Sequence, residues 1–120
     1  MEHYRVIIKA PNQPPEIVSI MDSPNVIKTV VGGNVYVSVL DLFGVTLYYN
    51  DEATVFTHKL NFVLPDGTRR KIFGTVVIAK TSNGKRVDLD DEDITAYRQW
   101  IKDRVTETKR IISAAMPIEV

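Results

Sequence analysis

Cysteine is absent from the 120 residues, and with it go disulfides, thiolate metal sites and cysteine nucleophiles. That absence fits a reducing compartment. Histidine occurs only at positions 3 and 58, which leaves few groups able to move a proton near neutral pH. Net charge is missing as well. Fifteen Lys and Arg balance fifteen Asp and Glu, so no global field draws the chain to nucleic acid or an anionic membrane, and an electrostatic partner must be met by a local patch. No run approaches the roughly 20 apolar residues of a membrane span. The start, MEHYRVIIKA, lacks the basic residues and apolar stretch of a signal peptide. Together these absences point to the cytosol, and the chain shows no repeat, low-complexity tract or linker.

What is present is ordinary globular material, 44% hydrophobic and 25% charged, enough for one domain with its own core. The expected unit spans residues 1–120, with a core over 4–100 and a helical overhang over 101–116. Tyr4 to Ala10 reads as a strand ending at Pro11, and Glu16 to Ile20 returns as its hairpin partner. Ser23 and Pro24 suit a helix N-cap and first turn. Val26, Ile27, Val30 and Val31 form one apolar face, and Gly32 suits a left-handed stop, with Gly33 turning the chain away. The alternative, a phosphate cradle at Gly32-Gly33, lacks the strand-first order and the lysine of a phosphate loop. Val35, Val37 and Val39 then alternate as a strand, and Val45 to Tyr49 is another.

Asn50 to Ala53 is turn chemistry, and Thr54 to Leu64 reads as irregular with a short strand near Phe62 to Leu64. Pro65-Asp66-Gly67 is a tight turn. Ile72 to Lys80, IFGTVVIAK, is the most apolar segment and reads as one central strand. Asn83-Gly84 is the sharpest hairpin signal, with Arg86 to Leu89 as the return. From Asp90 the period changes to that of a helix. Asp90 and Asp93 approximate a capping box, and Ile94, Tyr97, Ile101, Val105, Thr108 and Ile112 make one stripe that ends before Pro117. The expected architecture is α+β: an antiparallel or mixed sheet of five to six strands, one short helix, and one long C-terminal helix across a face.

Four segments resemble a known family. VIKTVVGGNVYVSVL, LYYNDEATVFTHKLNFVL, IFGTVVIAK and VDLDDEDITAYRQW are similar, in order and spacing, to patterns of the domain of unknown function 3846. The resemblance covers nearly the whole chain, and the C-terminal helix runs some fifteen residues past the family pattern. It implies a bacterial phage, plasmid or other mobile-element origin, and it implies no reaction.

The candidate chemistry is sparse. His58 can in principle serve as a base, but a surface or hydrogen-bonding role is the commoner one for a lone histidine. The acids Asp88, Asp90, Asp91, Glu92 and Asp93 lack calcium-loop spacing and fit a solvated helix start better, so no metal and no cofactor is expected. Asn50, Asp51 and Glu52 with Leu60-Asn61 are read either as turn caps or as a small polar pocket. Arg69, Arg70 and Lys71, with Lys85 and Arg86, would form a phosphate-binding patch if the two hairpin tips lie side by side; otherwise they are protective edge charge.

The expected function is therefore non-catalytic. It is that of a mobile-element protein, acting in counter-defence in the bacterial host cytosol, that sequesters a nucleotide-type signal or docks on a host defence protein. The alternative is a regulatory or nucleic-acid-associated accessory factor, although zero net charge argues against strong nonspecific nucleic-acid binding. Candidate ligand contacts are Tyr48, Asn50, Phe56, His58, Asn61, Arg69, Arg70 and Arg86. Trp100, Arg104, Val105, Ile111 and Ile112 are candidates for contact with a second copy through the helix overhang, or for packing on the chain's own sheet.

Overall fold

The computed structural model describes residues 3–65 and 70–115. Its central element is β7 (Val76–Ser82), whose Val76, Val77, Ile78 and Ala79 are all fully buried. Successive strand residues point to opposite faces, so four buried residues in a row require cover on both sides. β7 pairs with β1 (His3–Lys9) on one side and β4 (Val45–Tyr49) on the other. β2 (Glu16–Met21) lies outside β1, β3 (Tyr36–Val39) lies outside β4, and β8 (Lys85–Val87) forms a hairpin with the end of β7. Every pairing is antiparallel, which completes a six-stranded sheet in an α+β fold. The β7–β8 turn uses Asn83 (φ 52°) and Gly84 (φ 76°), as the Asn-Gly pair predicts.

One face is covered by α1 (Val26–Val31), where Ile27 and Val31 pack with Tyr4, Val6, Ile20, Tyr48, Val77 and Ala79. The helix stops at Gly32 in the left-handed conformation, with its N–H bonded 2.9 Å to the Lys28 carbonyl. Its start differs from expectation. Asn25 and not Ser23 occupies the N-cap, without a side-chain cap bond, because Ser23 and Pro24 are spent in the preceding turn. Gly33 has a separate reason to be glycine, since a Cβ there would lie 2.7 Å from the Asn50 amide.

The opposite face carries α2 (Asp91–Ala115) and a separate ribbon of β5 (Leu60–Val63) and β6 (Lys71–Phe73). Ile94, Tyr97 and Ile101 of the helix, Phe62 and Ile72 of the ribbon, and Ile7, Leu47 and Ile78 of the sheet form one core. The single strand expected over Ile72 to Lys80 is in fact two strands in different sheets. Gly74 breaks it at φ +82°, a conformation that glycine adopts at little cost. The expected strand near Phe62 begins earlier, at Leu60, with a register irregularity before Phe62. The Pro65-Asp66-Gly67 turn lies mostly outside the described residues.

The start of α2 is fastened twice. Asp90 Oδ1 accepts from the Asp93 N–H (2.7 Å) while Asp93 Oδ2 accepts from the Asp90 N–H (3.2 Å), a reciprocal cap. The Tyr97 hydroxyl donates to Asp41, which also accepts from the Phe43 and Val45 N–H groups in the β3–β4 turn. Partial burial pushes the Asp41 carboxyl up, but these hydrogen bonds and the charge of Lys80 outweigh it and hold the pKa below the ordinary carboxylate value.

Gly44 and Gly84 separate two reasons for glycine. At Gly84 a Cβ meets nothing within 4 Å, so Gly84→Ala should cost only the positive-φ strain, about 1–2 kcal/mol. At Gly44 (φ +93°) a Cβ would sit 2.0 Å from the Thr81 carbonyl oxygen, so Gly44→Ala should cost more than about 3 kcal/mol. Urea denaturation of both variants checks the order, and equal losses would refute it.

Candidate functional site

A groove between α2, the β1–β2 turn and the 55–61 segment is built on a lysine in an unusual position. Lys9 is in phase with buried Ile7 on β1, so its side chain runs under α2 and not into solvent, and it is only 4% exposed. Its Nζ donates to the Ala10 carbonyl (2.6 Å) and to Asn61 Oδ1 (3.0 Å). Asn61 is also buried, and its amide donates to the Lys9 and Gly74 carbonyls, both at 2.8 Å. The Gly74 N–H donates to the Lys59 carbonyl at 2.8 Å. The ribbon and the sheet are therefore joined at this floor by a lysine and an asparagine. No carboxylate pairs with Lys9 among the described residues, and burial pulls its pKa below the ordinary 10.5.

The groove has a volume of about 1460 Å³. Lys9, Lys59, Arg98, Lys102 and Lys109 line it together with His58, and no Asp or Glu does so among the described residues. None of those five cations makes an ion pair among the described residues, whereas Arg5, Arg70, Lys80 and Arg110 each do. Arg98, Lys102 and Lys109 stand at i, i+4 and i+11, within a narrow arc of the helix, and span about 16 Å along its axis. Val55, Leu60, Ile101, Val105 and Ile112 supply apolar wall between them. Positive groups around an apolar cleft suit an anionic ligand with a flat or apolar body.

Among the residues expected from sequence, His58 and Asn61 line this groove. The His58 ring lies against Gly74, where a Cβ would come within 3.1 Å of it, and its Nδ1 is 2.8 Å from Thr57 Oγ1. Asn50 sits elsewhere. It is buried, and its side chain accepts from the Glu52 N–H (3.0 Å) in the turn-capping role. Arg70 and Arg86 do not share a patch. Arg86 donates to the Tyr48 hydroxyl and lies over its ring (4.7 Å) on the α1 side, whereas Arg70 donates to the Tyr49 hydroxyl (2.7 Å) and to Asp51 (3.1 Å). Tyr48 and Tyr49 are consecutive on β4 and belong to opposite cores, which puts the two arginines on opposite faces. Tyr48 itself is buried, Phe56 is 95% exposed without lining the groove, and Arg69 lies outside the described residues.

The helix residues considered for a second copy are divided. Trp100 packs edge-on against Phe62 (5.7 Å) and Tyr97 (6.2 Å), and Val105 packs on the same core. Thr108, deep in the overhang, accepts from the Val63 N–H at 2.8 Å and ties the helix to β5. Arg104 and Ile111 are half-buried, and Ile112 is exposed on the groove rim. The acids near the start of α2 are engaged as well: Asp88 accepts from the Arg5 N–H (2.6 Å), Asp91 pairs with Arg5 (3.4 Å), and Asp90 and Asp93 hold Lys80 (3.8 and 2.9 Å). No helix among the described residues is long and apolar enough to cross a membrane.

Residues 4–102 match the family model described as a domain of unknown function, DUF3846. The chain belongs to the DUF3846 family. No curated protein and no solved structure matches it. The matched region contains Lys9, Lys59, Asn61, Arg98 and Lys102, while Val105, Lys109 and Ile112 lie beyond it. The DUF3846 domain thus supplies the groove floor, and the continuation of α2 lengthens one wall.

Lys9 has a pH signature. Its folded pKa is lowered, so between that value and 10.5 the unfolded chain binds more protons than the native one, and stability rises with pH across that interval. Below the interval the protonated native amine carries the full burial penalty. Lys9→Met should flatten the rise relative to the parent in urea midpoints followed from neutral to about pH 10. Parallel curves for the two proteins would refute the assignment.

Proposed function

We propose that this DUF3846 protein binds and retains a small anionic ligand of nucleotide type in the groove over Lys9, without transforming it. The observation that carries the reading is the set of five groove cations without a carboxylate partner among the described residues. Phosphates would engage Lys102, Arg98 and Lys109 along the helix, the buried Lys9 would hold one of them from below, and the apolar wall would receive a base. A non-catalytic role is supported by the surroundings of His58. Its hydroxyl neighbour, Thr57, is already committed to the Thr54 N–H (2.9 Å) and carbonyl (3.2 Å). In the mobile-element setting that the sequence resemblance implies, capture of a host nucleotide signal in the cytosol would serve counter-defence.

The 16 Å line of helix cations also suits the phosphates of a short single strand, which supports an accessory role on nucleic acid as the second reading. Calorimetry at physiological salt against cyclic mononucleotides, cyclic dinucleotides, linear nucleotides and short single-stranded oligonucleotides separates the two. Binding of a nucleotide, weakened roughly 10–100-fold by Lys9→Met and also by Lys102→Glu, is the expected result. Affinity should fall with added salt. Preference for the oligonucleotides would favour the second reading, and absence of heat with every probe would remove both.

A further inference from the structure

We propose that β3, the free edge of the six-stranded sheet, pairs antiparallel with β3 of a second copy about a two-fold axis, joining the two sheets into one. The Leu40 N–H donates to the Val45 carbonyl (2.9 Å), and the β3–β4 register runs Tyr36 opposite Tyr49, Val37 opposite Tyr48, Ser38 opposite Leu47 and Val39 opposite Thr46. In an antiparallel ladder the hydrogen-bonded residues alternate, so Tyr36, Ser38 and Leu40 turn their N–H and C=O groups toward β4. Val35, Val37 and Val39 turn theirs out of the sheet, where no strand among the described residues pairs with them.

Exposed edges in stable monomers are kept short or carry lysine, proline, a bulge or a covering segment. β3 is short, at four residues, but it has no lysine, proline or bulge, and no strand among the described residues covers it. Tyr36-Val37-Ser38-Val39 is uncharged and holds an unbroken register with β4. Val37 is 57% and Val39 72% exposed, and Leu42 (99%) and Phe43 (78%) follow in the adjoining turn. The other outer strand, β2, is treated differently: Pro14 and Pro15 precede it and Glu16 opens it.

A second copy is the occupant because the strand complements itself. A two-fold centred on Val37 sets Val37 on Val37 and Val35 on Val39, with each residue exchanging its outward N–H and C=O with the partner. Directly opposed like charges would be destabilising in such a pair, and this strand contains no charge at all. The contact is isologous, so it closes at two subunits. Four residues from each copy make a short contact, and the dimer is therefore a concentration-dependent one. No β3 residue lines the Lys9 groove, so pairing and ligand binding are read out independently.

Sedimentation equilibrium over a range of concentrations tests the proposal. The mass should rise from 13.6 kDa toward twice that value. Val37→Pro removes an N–H that β4 does not use, and Val37→Lys sets two lysines directly opposite each other on the axis. Each should weaken the dimer at least about tenfold. Hydrogen exchange at the Val37 and Val39 amides should slow as concentration rises, which locates the contact without any substitution. The proposal is overturned by a 13.6 kDa species at every concentration, by assemblies larger than a dimer, or by Val37 and Val39 amides that exchange freely in the dimer. A dimer dissolved by Ile112→Lys and untouched by both β3 substitutions would place the contact on α2 and overturn it equally.

Discussion

The burial of β7 on both faces is the constraint from which the rest follows. A strand whose Val76, Val77, Ile78 and Ala79 all lack solvent needs apolar cover above and below. The chain supplies it asymmetrically, with a two-turn helix on one side and a long helix plus a ribbon on the other. The short helix, with three β-branched valines, is too brief to persist unaided, so its packing on Tyr48, Val77 and Ala79 is what holds it. The long helix is set by its capped start and by the Tyr97 bond to Asp41, which fix where its later turns pass over β1 and β5.

The groove is a by-product of how the second face is covered. Gly74 stops the apolar run after β6 and sends the chain into β7, which detaches the β5–β6 ribbon from the sheet. Asn61 on the ribbon then reaches the Lys9 and Gly74 carbonyls and bridges the seam. A lysine below such a seam is costly as a bare cation, because burial disfavours the charged form. Two carbonyl oxygens satisfy two of its donors, and neither neutralises its charge. An anion entering from the groove would do so.

Most of the architecture was legible because it is written in local rules. Alternating valines, the Gly32 stop, the Asn83-Gly84 turn and the Asp90–Asp93 cap each act over a few residues. IFGTVVIAK misled because apolar composition says nothing of a positive φ at Gly74, which only the three-dimensional path demands. The site was less legible. Arg70 and Arg86 look like one patch in a linear reading, and the alternation of Tyr48 and Tyr49 on β4 divides them. Lys9 did leave a trace, since it shares the inward phase of Ile7, and Arg98, Lys102 and Lys109 share a helix face. That trace gains meaning only once the ribbon and helix are known to meet over it.

The balance of charge sharpens this last point. A chain with fifteen residues of each sign has enough carboxylates to match every cation, yet it distributes them unevenly. Asp51, Asp90, Asp91, Asp93 and Glu107 are engaged with Arg70, Lys80, Arg5 and Arg110 away from the groove. The solvent-exposed members of those pairs add little stability, so their energetic effect is small. Their placement matters more, because it leaves the cations over Lys9 without counter-charge among the described residues. A neutral protein can therefore present a cationic cleft without the long-range field that would also attract every polyanion in the cell. That separation of local from net charge favours a compact anionic ligand held at close range over nonspecific capture of long nucleic acid.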